Sequence, residues 1–312
     1  MVLWVSAALA AIAFSMASTV RGEVERTGTA VDGLRSYFLA IGGIQRGSIE
    51  LLWSVLYPNQ RPIPKGTAVI DYQFPSGVVR VEILPEAGKL DVNFIPRLDL
   101  VRLLIALGEP QSQAQQIADA IIEYRGQEGG GGAPGGFSPG GPPTFRSPHA
   151  SLQEIEELLL VRGVTPELFY GTYVPADSGD GGTRLIRRGG LADCLSVYGS
   201  RDRVDVNTAS PAVLMALGLS PFAVDAVVKR RMAAPFKPEE VGAFLGSIGA
   251  PGERLRTEGN TIVTFRATAQ LRLPNGQLSD LKRTVAAQIK YMQKDSKSAF
   301  DVLRWYDTAW SN

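Results

Sequence analysis

Met1 to Val20 holds no charged residue, its only polar side chains are Ser6, Ser15, Ser18 and Thr19, and no proline occurs before Pro58. At helical rise, twenty residues cover about 30 Å, the depth of a bilayer's hydrocarbon. Hydroxyl side chains can return their hydrogen bonds to the same helix, so these polar residues do not forbid burial in lipid. A cleaved export signal needs basic residues ahead of its apolar core, and none precedes this run. A soluble core helix is seldom uncharged over such a length. The run therefore predicts a membrane-spanning anchor at 1–20, with Leu3, Trp4, Val5, Leu9, Ile12 and Phe14 as its apolar surface.

Charge begins at once after the anchor, with Arg21, Glu23, Glu25 and Arg26. Beyond them Val24, Val31, Leu34, Phe38, Ile41, Ile49 and Leu52 recur mostly at spacings of three, four or seven, as on one face of a helix. Gly22, Gly28, Gly33, Gly42, Gly43 and Gly47 oppose it, each costing up to about 1 kcal/mol relative to alanine. A helix with this composition needs packing along its length. The expectation is one continuous rod, its first half in lipid and its second half, 21–57, on a globular body. Val24, Val31, Leu34 and Phe38 form the face expected to pack against partners.

Two hairpins stand far apart in the chain. Ala68, Ile70, Tyr72 and Phe74 alternate with polar residues, Pro75-Ser76-Gly77 turns, and Val79, Val81 and Ile83 alternate with Arg80 and Glu82. Downstream, Val263, Phe265, Ala267, Ala269, Leu271 and Leu273 alternate with polar neighbours up to Pro274-Asn275-Gly276-Gln277, where Asn-Gly favours a tight hairpin. Leu281, Val285, Ala287, Ile289 and Tyr291 return. An isolated two-stranded hairpin is marginal in water. Joining both into one antiparallel sheet against the rod gives an α+β fold with a β-domain split between 58–91 and 258–312, and a large inserted domain at 92–257.

The insertion repeats itself. Asp91-Val92-Asn93 matches Asp205-Val206-Asn207, Leu107-Gly108 matches Leu217-Gly218, and Asp119 to Ile122 with Arg125 matches Asp225 to Val228 with Arg231. Glu154, Ile155, Leu158, Leu159 and Gly163 match Glu240, Val241, Phe244, Leu245 and Gly249. The first copy is about one turn longer in each of its two helical parts, and Thr208 or Ser210 is placed to cap the second copy's first helix, with Pro211 in its first turn. The units resemble helix-hairpin-helix modules, whose DNA-binding versions offer hairpin amides to phosphate. Here the hairpins carry Glu109, which repels phosphate, and Pro110, which has no amide hydrogen. The insertion holds 16 Lys plus Arg against 18 Asp plus Glu, so the basic surplus that duplex binding requires is missing.

Chemistry is sparse. A single histidine, His149, and a single cysteine, Cys194, rule out zinc sites built from several such ligands, and no acid, base and nucleophile combine. Gly126 to Pro148 is dense in glycine and proline and reads as a loop that buries no core. Asp177 and Asp180, on a glycine-rich turn, are weak candidates for calcium, which prefers oxygen ligands. Their spacing fits no EF-hand, and a plain solvated turn is the simpler reading. Cys194 reads as a small core residue.

The order of apolar start, long helix, hairpin, duplicated helical insertion and hairpin resembles the minor pseudopilin K family of bacterial type II secretion, also called general secretion pathway protein K. Met1-Val2-Leu3-Trp4-Val5, Ser151 to Thr165 and Val204 to Gly218 carry the resemblance most clearly. It implies a pilin-like helix and sheet with an α-domain inserted between strands, and no enzymatic activity. It further implies a single-pass inner-membrane protein with a periplasmic body. That body would cap a short pseudopilus with the I, J and H types of minor pseudopilin above the major pseudopilin, and help start its assembly. The secretin and the exported protein are further candidate contacts, and nucleic acid is not one. Family precursors carry a basic leader ending in glycine, which does not precede Met1 here. Some relatives bind calcium after the first repeat helix, where this chain has Tyr124-Arg125-Gly126-Gln127-Glu128. The alternative is a membrane-tethered DNA-binding receptor of the competence type, which shares Asn207-Thr208-Ala209-Ser210. The missing basic surplus and the flanking hairpins disfavour it.

Overall fold

The computed structural model describes residues 2–60, 62–63, 67–126, 150–177, 183–257, 261–292 and 298–309. His149, Asp180 and the glycine- and proline-rich loop after Gly126 lie outside them. Helix α1 (Val2–Leu56) leads to β1 (Val69–Phe74), β2 (Gly77–Pro85), β3 (Leu90–Asp91), α2 (Arg97–Ala106) and α3 (Gln111–Tyr124). A 3-10 turn (Ile155–Leu160) precedes α4 (Pro166–Tyr170), β4 (Thr172–Asp177), β5 (Thr183–Arg188), α5 (Leu191–Cys194) and β6 (Leu195–Ser196). Next come β7 (Val204–Asp205), α6 (Pro211–Ala216), α7 (Pro221–Ala233), α8 (Pro238–Ser247) and β8 (Leu255–Arg256). Strands β9 (Ile262–Arg272), β10 (Leu278–Tyr291) and β11 (Phe300–Tyr306) follow. The chain divides into two compact units, one of Met1–Leu84 with Thr264–Ser311 and one of Pro85–Val263. The second unit takes in residues 85–91, which the sequence reading gave to the split β-domain, because β3 pairs with β6 within it.

In the first unit the two hairpins share one five-stranded antiparallel sheet, ordered β1-β2-β9-β10-β11. Register follows the alternation read from the sequence, with Tyr72 opposite Val79 and Ile70 opposite Val81. Leu39, Ala40 and Ile44 of α1 are buried together with Val79, Val81, Phe265, Val285 and Ala287 of the sheet. Gly43 has a specific use here. A Cβ built on it would lie 2.4 Å from Val79 Cγ1, so only hydrogen lets helix and sheet meet at this distance. One turn on, the position a Gly47 Cβ would take is 3.5 Å from the Phe265 ring. Ser36, Ala40, Gly43 and Gly47 therefore form a stripe of small residues along the helix face that meets the sheet. Tyr72 donates to Glu50 Oε2 at 2.6 Å while Arg46 donates to Glu50 Oε1 at 2.8 Å and covers the Tyr72 ring. Burial, then Glu50, pushes the Tyr72 hydroxyl well above its ordinary pKa. Strand β11 lies in the same 258–312 segment, beyond the residues whose alternation marks the second hairpin. It pairs antiparallel with β10, with a bulge after Gln288.

In the second unit the repeat seen in the sequence is a repeat of hydrogen bonds. Asn93 clamps the Leu152 backbone, accepting from its N–H at 2.7 Å and donating to its carbonyl at 2.9 Å. Asn207 does the same to Phe236, at 2.7 and 3.1 Å. Asp91 and Asp205 accept from the backbone N–H of Asn93 and Asn207. Arg125 donates to the carbonyls of Val92 and Ile95, and Arg231 to those of Val206 and Ala209. Loop carbonyls inside a core need donors, so each copy keeps an arginine at the same place. Burial lowers the pKa of both guanidinium groups, yet an arginine stays charged. Helix α2 has 10 residues and α6 has 6, one turn fewer, but α3 has 14 and α7 has 13, so the second helix of the first copy is not a turn longer.

Ser210, not Thr208, caps α6, accepting from the Val213 N–H; Thr208 donates instead to Asp205. The third matched element needs a correction. Glu157, not Glu154, stands where Glu240 stands in the second copy. Each is the third residue of its helical segment and accepts from the backbone N–H of the capping residue three positions earlier, Glu154 in one case and Lys237 in the other. The first copy winds this segment as a short 3-10 turn and the second as a ten-residue α-helix, so equal spacing in sequence does not mean equal place. Cys194 is buried beside Ser210, and burial pushes its thiol up to about 12.

Candidate interaction surface: the N-terminal helix

Helix α1 runs unbroken for 55 residues. Its N-terminal part is long and apolar enough to cross a membrane, and nothing in the first unit covers it. Ser6 donates to the Leu3 carbonyl, and Ser18 and Thr19 donate to Ser15, so these hydroxyls are satisfied without water. Leu3, Trp4, Val5, Leu9, Ile12 and Phe14 each expose more than half of their surface. A row of large apolar side chains so exposed is costly in water and marks a contact with lipid or protein.

The apolar row continues past the charged residues. Val24, Val31, Leu34 and Phe38 are 65, 42, 57 and 61% exposed, although Phe38 already lies beside the sheet-packed face. The charges flanking them are matched within the helix: Arg21 with Glu25, Arg26 with Glu23, and Arg35 with Asp32, at 3.2–3.5 Å. Such exposed pairs add little stability. Their effect is to leave this stretch with no net charge, which lowers the cost of laying an apolar helix against it. No described side chain before Ser36 is buried, so the helix face that the sequence reading assigned to partners is open in the isolated chain.

Asp177 ends β4 and Asp180 is outside the described residues; among the described residues no group of three or more His, Cys, Asp or Glu could hold a metal. At the hairpins, Gly108 and Gly218 adopt positive φ (96° and 95°). The amides there are already used: Gly108 and Glu109 donate to Ile105 and Leu104, and Gly218 and Leu219 donate to Met215 and Leu214.

Sequence reasoning missed a cluster at the point where α1 leaves the sheet. Tyr37 donates to Asp307 Oδ1 at 2.6 Å, and Trp305 Nε1 donates to the same oxygen at 3.0 Å. The only sequence signal for it is the aromatic density of Trp305-Tyr306-Asp307, which carries no pairing information.

No protein-family model matches the sequence, and no curated protein does. Among solved structures, a chain in the crystal structure of the GspK-GspI-GspJ complex from the type 2 secretion system of enterotoxigenic Escherichia coli is similar. The match covers 89% of this chain and 98% of that one, at 15% identity and a TM-score of 0.51. Likeness at that identity is likeness of fold: this chain has a GspK-like, pilin-type α+β fold, a long N-terminal helix on an antiparallel sheet with a helical unit inserted between strands.

Proposed function

We propose that the chain is a minor pseudopilin of a type II secretion system, a structural subunit at the tip of the periplasmic pseudopilus. In this reading residues 1–20 anchor it in the inner membrane and the body that follows them lies in the periplasm. Val24, Val31, Leu34 and Phe38 pack against the helices of neighbouring subunits. Partners of the I and J types are favoured because the similar chain was crystallised with GspI and GspJ; an H-type subunit and the major pseudopilin would complete the assembly. The subunit helps start assembly and supports export across the outer membrane without catalysing a reaction.

One observation carries the proposal: a continuous helix whose outer half is apolar, charge-neutral and uncovered, on a body of GspK-like fold. A DNA-receptor role is disfavoured by the hairpin amides, which serve the preceding helices. The test is co-purification of residues 21–312 with the soluble parts of I- and J-type pseudopilins from the same organism. A stable ternary complex is expected, and failure of all three to associate at micromolar concentration contradicts the partner assignment. Tight duplex-DNA binding at low salt would favour the receptor instead.

A further inference from the structure

The packing of α1 on the sheet runs from Ser36 onward, and no described side chain before it is buried, so any further restraint on the direction in which the helix leaves the sheet acts at this end of the contact. Groups from the far end of the chain meet it there. Asp307 Oδ1 accepts from the Tyr37 hydroxyl at 2.6 Å and from Trp305 Nε1 at 3.0 Å. Arg283 on β10 donates to the Asp307 carbonyl at 2.9 Å and to Thr308 Oγ1 at 3.0 Å, and its guanidinium lies 5.9 Å from the Tyr37 ring centroid. The Ala309 N–H donates to the Thr284 carbonyl at 3.0 Å, continuing the attachment to β10. The Asp307 carboxylate raises the Tyr37 pKa, keeping that hydroxyl a donor.

We infer that residues 305–308 form a strap that fixes the exit direction of α1. The lever is long. From Tyr37 to Val2 the helix extends about 50 Å, so a tilt of about 10° moves its tip by roughly 9 Å, close to one helix diameter. A subunit whose helix wanders by that much loses side-by-side contact with a neighbour. The consequence for assembly rests on the reading of α1 as anchor and partner surface; the strap itself does not.

The test measures the distance distribution between spin labels at Gly28→Cys and Lys282→Cys by electron–electron double resonance, on the full chain in lipid nanodiscs. Nothing lies within 4 Å of a Cβ at Gly28, Lys282 is exposed, and the buried Cys194 thiol does not compete for label. Asp307→Ala should widen the distribution at least twofold. Asp307→Asn keeps an acceptor for Tyr37 and Trp305 and should preserve the narrow one. Tyr37→Phe, which removes one hydroxyl, should fall between and serves if Asp307→Ala does not fold. An unchanged width in Asp307→Ala overturns the strap, as does an Asp307→Asn distribution as wide as that of Asp307→Ala. Should the chain stay out of membranes while the variant difference persists, the strap stands and the anchor reading falls.

Discussion

Replacing Gly43 with alanine puts a carbon 2.4 Å from Val79 Cγ1 and 3.2 Å from Val81 Cγ2, between a helix and a sheet held by many other contacts. Overpacking of this kind costs about 1–3 kcal/mol. Alanine returns about 0.5–1 kcal/mol through its better helix propensity, so the net loss should be about 1 kcal/mol. Gly42, its neighbour, has no atom within 4 Å of the same added carbon, and Gly42→Ala should stabilise by about 0.5–1 kcal/mol. The two variants should thus differ by about 2 kcal/mol with opposite signs. Urea unfolding of the full chain in mild detergent, followed by tryptophan emission, reports the effect, because the tryptophans among the described residues, Trp4, Trp53 and Trp305, belong to the first unit. With an m-value of about 2 kcal/mol/M the midpoints should separate by about 1 M. Equal shifts in the same direction would refute the claim that Gly43 sets the helix–sheet distance.

Removing Arg231 with alanine leaves the Val206 and Ala209 carbonyls without their donor and should destabilise the second unit by about 2–3 kcal/mol; hydrogen exchange across 204–236 should rise while the first unit keeps its protection. Asn207→Ala should act in the same direction by about 1–2 kcal/mol, read by the same exchange measurement. With its thiol pushed up to about 12 by burial, Cys194 should resist thiol reagents at pH 8 in the native chain and react freely only in denaturant; fast native labelling would contradict its placement. Leu9→Arg should lower membrane insertion by about 2.5–3.5 kcal/mol, measured as the inserted fraction in a translocation assay; an unchanged inserted fraction would contradict the anchor.

What was legible in the sequence follows from periodicity. The rod was readable because a charge-free run and a proline-free helical spacing have few other physical solutions. The split sheet was readable because each hairpin alone lacks partners. Strand β11 was not, since Phe300 to Tyr306 has two charged residues and a bulged register that blurs alternation. The contribution of Gly43 was hidden for a different reason: a glycine in a helix reads as a cost until the opposing Val79 is known. The repeat was visible as residue types, but Glu154 and Glu157 could not be told apart without knowing which turn was 3-10. On the candidate surface, Val24, Val31, Leu34 and Phe38 were found because large apolar residues at helical spacing leave a trace. The Tyr37–Asp307 contact, across 270 residues, leaves none.

The most direct test of the central claim is crosslinking in whole cells from cysteines placed at Leu34 and Phe38 of the membrane-bound chain, with matching cysteines on the helices of the I- and J-type pseudopilins. Disulfide-linked heterodimers that vanish when the cysteine is moved to the sheet-facing position Ala40 are the predicted result. Adducts that form equally from Ala40, or none from Leu34 and Phe38 in membranes where all the subunits are present, would contradict it.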